Sequence, residues 1–265
     1  MSLDPLVPQL PAKSRLADLA TGLGLPFRAV RVLLGSPKLI AFSLVSAAVT
    51  ALTLVFVLLG AWRGGQGLAE ALIGGGTTLK SAAAFSLGVV LFTAFFVAGA
   101  LTAPLIVLAP LTDPISEATE ARCGDFTAPP FSAGRFLTST WESVAHTLLR
   151  LGFMVAGYVA LAPLHLVPVA GSALWAVTSS VWAMFWICAE QLSNPMARHL
   201  YRFGQVVRAV WARLPLSLGF GAALYVMLWV PVVNFFLMPV AVVAGTLLFR
   251  ALAKAGVLAP PSGRA

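Results

Sequence analysis

The sequence has little charge. Asp, Glu, Lys and Arg make up 10% of its 265 residues, where a soluble domain of this size carries about a quarter. Hydrophobic residues make up 59%, and the mean hydropathy is +0.93. Too few polar residues remain to cover a water-exposed surface, so lipid is the solvent for most of this chain. Cysteine is also scarce. Cys123 lies in a polar stretch and Cys188 in an apolar one, which excludes a disulfide framework. No CxxC or Cys/His spacing points to a metal site. There is no HExxH, no nucleophile–base constellation and no phosphate-binding loop. The Gly-rich stretches "RGGQG" and "IGGGTT" do not precede the polar helix such a loop needs. The reading is therefore not an enzyme, with no metal, no cofactor and no ATP coupling. Acidic residues number 9 against 17 basic ones, a net charge of +8. No basic stripe interleaved with aromatics accompanies them, so the excess speaks for membrane topology and not for nucleic acid.

What is present is long apolar runs. The N-terminal stretch "MSLDPLVPQLPAKSRLADLA" lacks the basic, apolar and small-residue order of a signal peptide. Residues 14–37 read as an amphipathic helix. Leu16, Leu19, Leu23, Phe27, Val30 and Leu34 recur at helical spacing, and Arg28 and Arg31 lie largely off that line. Such a helix either lies in the membrane interface or packs on the rest of the protein. Leu39–Trp62 is uncharged and long enough to cross a bilayer. A Gly-rich connection follows, and Ser81–Thr112 is a second span, long and tilted. A polar helical stretch with Asp113, Glu117, Glu120 and Arg122 then leaves the membrane.

Two further runs are broken by proline. In residues 137–190 the break falls at Pro163–Pro168, inside "HLVPVAGS". In residues 214–252 it falls at Pro231–Asn234, inside "LWVPVVNFF". Each run becomes a helical hairpin with short arms. An arm of roughly 16 residues reaches about 24 Å, short of the ~30 Å hydrocarbon core. The hairpins therefore either span barely or re-enter from one side. "LGF" precedes "VPV" in both runs, a weak parallel repeat of a type that transporters carry. The whole reads as one all-α integral membrane domain over residues 14–255, with disordered tails at 1–13 and 256–265. Under this topology every Lys and Arg except Arg63 and Lys80 falls on one side. The positive-inside rule then places both termini on the cytoplasmic side.

A proline at membrane depth frees backbone groups that protein or water must satisfy. The tips at Pro168, Gly171 and Pro231 are therefore expected inside protein or along a wet cavity. Each returning arm starts beside a capping residue, Ser172 or Asn234. Helix N-termini meeting there, with no acid nearby, favour an anion. His165, at the first tip, is a weaker candidate.

Three stretches carry a resemblance: "LAPLTDPISEATEARCGD" (108–125), "LVPVAGSALW" (166–175) and "LGFGAALYVMLWVPVVNFFLMPVAVVAGT" (218–246). They resemble the CysZ sulfate-transporter and etoposide-induced-protein family, in the same order over most of residues 25–250. The resemblance implies two long transmembrane helices and two hairpins that penetrate partway. It implies sulfate uptake feeding sulfur assimilation. It also implies an anion site at a Gly-Leu-Arg motif just before the first long helix. The matching stretch here is "SPKLIAF". Pro37 and Leu39 fit, but the glycine is Lys38 and the arginine positions hold Ile40 and Ala41. Lys38 supplies a point charge without the guanidinium fork; Arg28 and Arg31 lie just upstream. The expected substrate-binding set is Ser36, Lys38, Asn234, Ser172, Arg28 and Arg31. The expected partners are a small inorganic anion, the lipid bilayer and further copies of the chain. The alternative is a membrane organiser or lipid-handling protein that keeps the fold and has lost the sulfate site.

Overall fold

A computed structural model of the chain describes residues 7–10, 14–73, 78–123, 151–199 and 201–258. Among these there are helices and no strands. They are α1 (Arg15–Leu34), α2 (Pro37–Ile73), α3 (Thr78–Cys123), α4 (Leu151–Leu166), α5 (Gly171–Arg198), α6 (Phe203–Ala212), α7 (Leu214–Leu228) and α8 (Pro231–Lys254). The last turn of α4, Ala162–Leu166, is 3₁₀. Among the described residues, four helical segments are long and apolar enough to cross a membrane: α2, Lys80–Ala100 of α3, α5, and Leu237–Lys254 of α8. The bent pair α6–α7 makes a fifth if counted as one span. The chain is an all-α integral membrane protein.

Two compact units share these helices: residues 44–110, and residues 1–43 with 111–265. The first is an antiparallel helical hairpin of α2 and α3. Trp62 meets Phe92 edge-on at 5.5 Å. A Cβ on Gly65 would lie 2.7 Å from the Phe92 backbone nitrogen, and one on Gly99 would lie 2.7 Å from Val57 Cγ1. Such close contact needs small residues, which is how helices associate where lipid removes the hydrophobic drive. It also explains why α2 does not stop at Trp62. The stretch "RGGQGLAEALI", expected as a connection, stays helical to Ile73. Gly65 costs helix propensity but lets the two backbones meet. The best 18-residue windows of α2 and α3 are only 17% and 11% buried, against 78% in α8. Their exposed Phe56, Leu59, Phe85 and Val90 present the apolar surface that lipid covers.

In the second unit α7 and α8 form the core. Leu216, Phe220, Leu224, Leu247, Leu248 and Leu252 are fully buried there. Glycines on opposite faces of α7 set its two crossings. A Cβ on Gly219 would strike the Leu19 carbonyl of α1, and one on Gly221 would strike the Met184 carbonyl of α5. Gly22 makes the reciprocal approach from α1: its Cβ would strike the Leu216 carbonyl and lie 2.7 Å from the Phe220 nitrogen. Gly245 brings α8 close to Gln191 of α5, where an added Cβ would lie 2.6 Å from the Gln191 carbonyl oxygen. One face of α1, with Leu25, Ala29 and Val32, is therefore buried on the core. The expected apolar line of Leu16, Leu23, Phe27 and Leu34 points outward instead. Of the two placements weighed for this helix, packing on the rest of the protein is the one its buried face shows. The buried pair Asp18–Arg213, with Nη1 at 2.7 and 2.8 Å from the two carboxylate oxygens, joins α1 to the α6–α7 bend. That bend measures 101°.

Candidate anion site and hairpin tips

The turn between α1 and α2 carries four of the six expected binding residues. Gly35 ends α1, its N–H donating to the Arg31 carbonyl at 3.0 Å. Ser36 is buried, and its Oγ accepts the Leu39 N–H at 3.5 Å, so it caps α2. Lys38 is exposed in the first turn of α2, and Arg28 and Arg31 are exposed in the last turns of α1. Ile40 packs against the core and supplies no donor. A residue absent from the expected set joins them. Arg122, in the last turn of α3, donates from Nη1 to the Val32 carbonyl at 3.4 Å and from Nη2 to the Gly35 carbonyl at 3.1 Å. A cation at a helix C-terminus is favourable on dipole grounds alone. Nothing in the sequence separated Arg122 from its polar neighbours, because it meets this turn across more than 80 residues of chain.

The hairpin tips differ from expectation in detail. Hairpin 1 was expected from residue 137, but residues 137–150 lie outside the described residues. Its arms α4 and α5 are held by the Trp182 Nε1–H, which donates to the Met154 carbonyl at 3.2 Å. Pro163 sits in the 3₁₀ turn, helical geometry ends at Val167, and Pro168 and Val169 make the turn itself. Val169 has φ 65° and is fully exposed. A β-branched residue in that region is strained. Ser172 does not cap α5, whose N-cap is Ala170 without a side-chain bond. Gly171 instead lets the helix start against the 3₁₀ turn, where a Cβ would strike the Leu164 carbonyl. Ser172 Oγ lies 3.5 Å from His165 Nδ1, and the His165 ring packs on Trp175 at 4.7 Å. His165 thus makes local contacts. The N-cap of α8 is Val230, also without a side-chain bond, and Pro231 takes the first position. Proline there has no N–H to satisfy, which removes part of the need for a cap. Asn234 belongs to the first turn of α8; its side chain and that of Pro231 lie outside the described residues. Among the described residues no hydrogen bond links Ser172 to Ser36 or Lys38.

A second polar cluster, which the sequence reading missed, lies between α3, α5 and α8. Glu120 is fully buried. Its Oε1 is 3.3 Å from His199 Nε2, and its Oε2 is 3.8 Å from Arg198 Nη2. Arg198 also donates to the Asp113 carbonyl at 2.9 Å and to Ser116 Oγ, which in turn pairs with Thr246 Oγ1 at 2.7 Å. Burial pushes the Asp113 carboxyl above the ordinary carboxylate range, and the nearby Arg198 pulls it partly back. Charge-assisted bonds from Arg198 tie α3 to α5, and the neutral Ser116–Thr246 hydroxyl pair brings in α8. Among the described residues no group of three or more His, Cys, Asp or Glu is placed to hold a metal ion.

Comparisons with known proteins point to one family. Residues 25–239 match the family model described as Sulfate transporter CysZ/Etoposide-induced protein 2.4. The chain is similar to a protein named Sulfate transporter CysZ from Pseudomonas syringae pv. tomato, 31% identical over 54% of this chain and 56% of the relative. A protein of the same name from Pseudomonas fluorescens Pf-5 is 30% identical over 54% and 57%. Another, from Pseudomonas fluorescens SBW25, is 28% identical over 58% and 61%. The chain spans a little over half the length of the curated relatives it matches. With the family model matching most of its length, the chain belongs to the Sulfate transporter CysZ/Etoposide-induced protein 2.4 family.

Proposed function

We propose that this multi-pass membrane protein moves a small inorganic anion, sulfate first, across a bacterial inner membrane and so feeds sulfur assimilation. The observation that carries the reading is the α1–α2 turn. In a chain that belongs to this family, the position of the anion motif holds exposed Lys38 beside exposed Arg28 and Arg31. A tetrahedral dianion needs a point charge and hydrogen-bond donors at its landing site, and the turn offers both. Ser172 and Asn234, at the two tips, line the route further in. Both termini face the cytoplasm, where the positive-inside rule puts the basic segments. Several copies assemble, because exposed tip residues such as Leu166 and Val169 gain cover from neighbours. The test is growth on sulfate as the only sulfur source, in a bacterium stripped of its own sulfate uptake. The protein restores growth, Lys38→Ala weakens the rescue, and cysteine feeding removes the difference. No rescue by membrane-inserted protein would reject sulfate uptake.

A second reading has its own observation. Ile40 is engaged in the core and Ala41 is exposed, so neither motif arginine position supplies a donor. A membrane organiser that has lost the sulfate site fits that loss. It predicts no anion-dependent growth and a bilayer-dependent oligomer.

A further inference from the structure

The motif's missing guanidinium has a counterpart elsewhere in the fold. Arg122 reaches the α1–α2 turn from α3 and is fixed there by the Val32 and Gly35 carbonyls. Those two bonds engage two of the five N–H donors that a guanidinium carries. The partners are neutral oxygens, and among the described residues no carboxylate pairs with Arg122, so none of them cancels its charge. The neighbouring acid on the same helix, Glu120, is turned to Arg198 and His199. Lys38 stands on the other side of the turn, exposed in the first turn of α2, and Arg31 in the last turn of α1. Ser36, between them, accepts the Leu39 N–H and keeps its own O–H as a donor. The turn therefore combines a positioned guanidinium with exposed cations, a donor set suited to a tetrahedral oxyanion.

We propose that Arg122 supplies the guanidinium that Ile40 and Ala41 cannot, and that it forms the oxyanion site of this chain together with Lys38. The choice of sulfate as the ion rests on the transport reading above. The site itself is tested by equilibrium binding of labelled sulfate to the purified full chain in detergent. Wild type, Arg122→Gln, Arg122→Lys and Lys38→Ala are compared, each checked for folding by size exclusion and circular dichroism. The expected result is saturable binding by wild type. Arg122→Gln raises Kd by about tenfold or more, as loss of a charge-assisted bond of about 1.5 kcal/mol or more implies. Arg122→Lys falls between, because the charge stays and the fork is lost. If Arg122 only caps α1, Arg122→Gln melts earlier with Kd unchanged, and the proposal is overturned. Should Arg122→Gln fail to fold, Arg122→Lys decides: a Kd within about twofold of wild type overturns the site. The absence of saturable binding by wild type also overturns it. Arg122-dependent binding without sulfate flux would leave the site standing and reject transport. Flux with unchanged Kd in the Arg122 variants would do the reverse.

Discussion

The Asp18–Arg213 pair should behave as a clamp between α1 and the α6–α7 bend. Its side chains are only 5% and 13% exposed, and one guanidinium nitrogen meets both carboxylate oxygens. Removing one partner of a pair this deep leaves the other charge without its counter-ion. That typically costs about 3–5 kcal/mol, in line with the about 4 kcal/mol that two charges 4 Å apart gain at an effective dielectric of 20. Asp18→Asn keeps the shape and deletes the charge. It should lower stability by about 3 kcal/mol, which for a chain of this size is a drop in Tm of about 6–12 °C. Arg213→Met should cost a similar amount, although Arg213 makes further interactions that make Asp18 the cleaner position. The double variant buries no unpaired charge and should lie within about 1–2 kcal/mol of wild type, a coupling of about 4 kcal/mol or more against the sum of the single losses. The assay is thermal unfolding in detergent followed by tryptophan fluorescence, with circular dichroism as a second probe. If the double variant loses the sum of the two single losses, the side chains act independently and the clamp is wrong.

Other expectations follow from the same packing. Gly221→Leu should prevent stable folding, because the added side chain meets the Met184 backbone and not a flexible neighbour; Gly24→Leu, in open space on α1, should be tolerated, and expression with size exclusion separates the two. Arg198→Ala should lower Tm more than Glu120→Gln, since only the former leaves a fully buried carboxylate without its arginine. Asp113 binds its proton more tightly folded than unfolded, so its contribution to stability falls as pH rises from 3.8 through the higher folded value. Asp113→Asn should therefore raise Tm at neutral pH and leave it unchanged in acid, and Tm measured against pH checks both ends.

The helices were legible because their apolar runs exceed what a soluble helix carries, and prolines marked both breaks. Their ends were less legible. Gly64, Gly65 and Gly67 argued for a loop after Trp62, yet close packing on α3 holds that stretch helical to Ile73. Ser172 carries the right side chain for an N-cap, but the turn before it is set by Gly171 packing on Leu164, and the hydroxyl lies beside His165. Ser36, by contrast, does cap its helix: its Oγ accepts the Leu39 N–H at the start of α2. The contacts that define the polar cluster and the Arg122 turn join residues about 80 or more apart in sequence. No local period encodes such pairs, and only the tertiary crossings bring them together.

The claim that matters most is transport, and the direct measurement is labelled sulfate flux into proteoliposomes holding the purified, folded chain. The account predicts uptake faster than in empty vesicles, saturable with sulfate, competed by like-shaped dianions and reduced in Lys38→Ala. Uptake no faster than in empty vesicles, from protein that is folded and inserted, would contradict it.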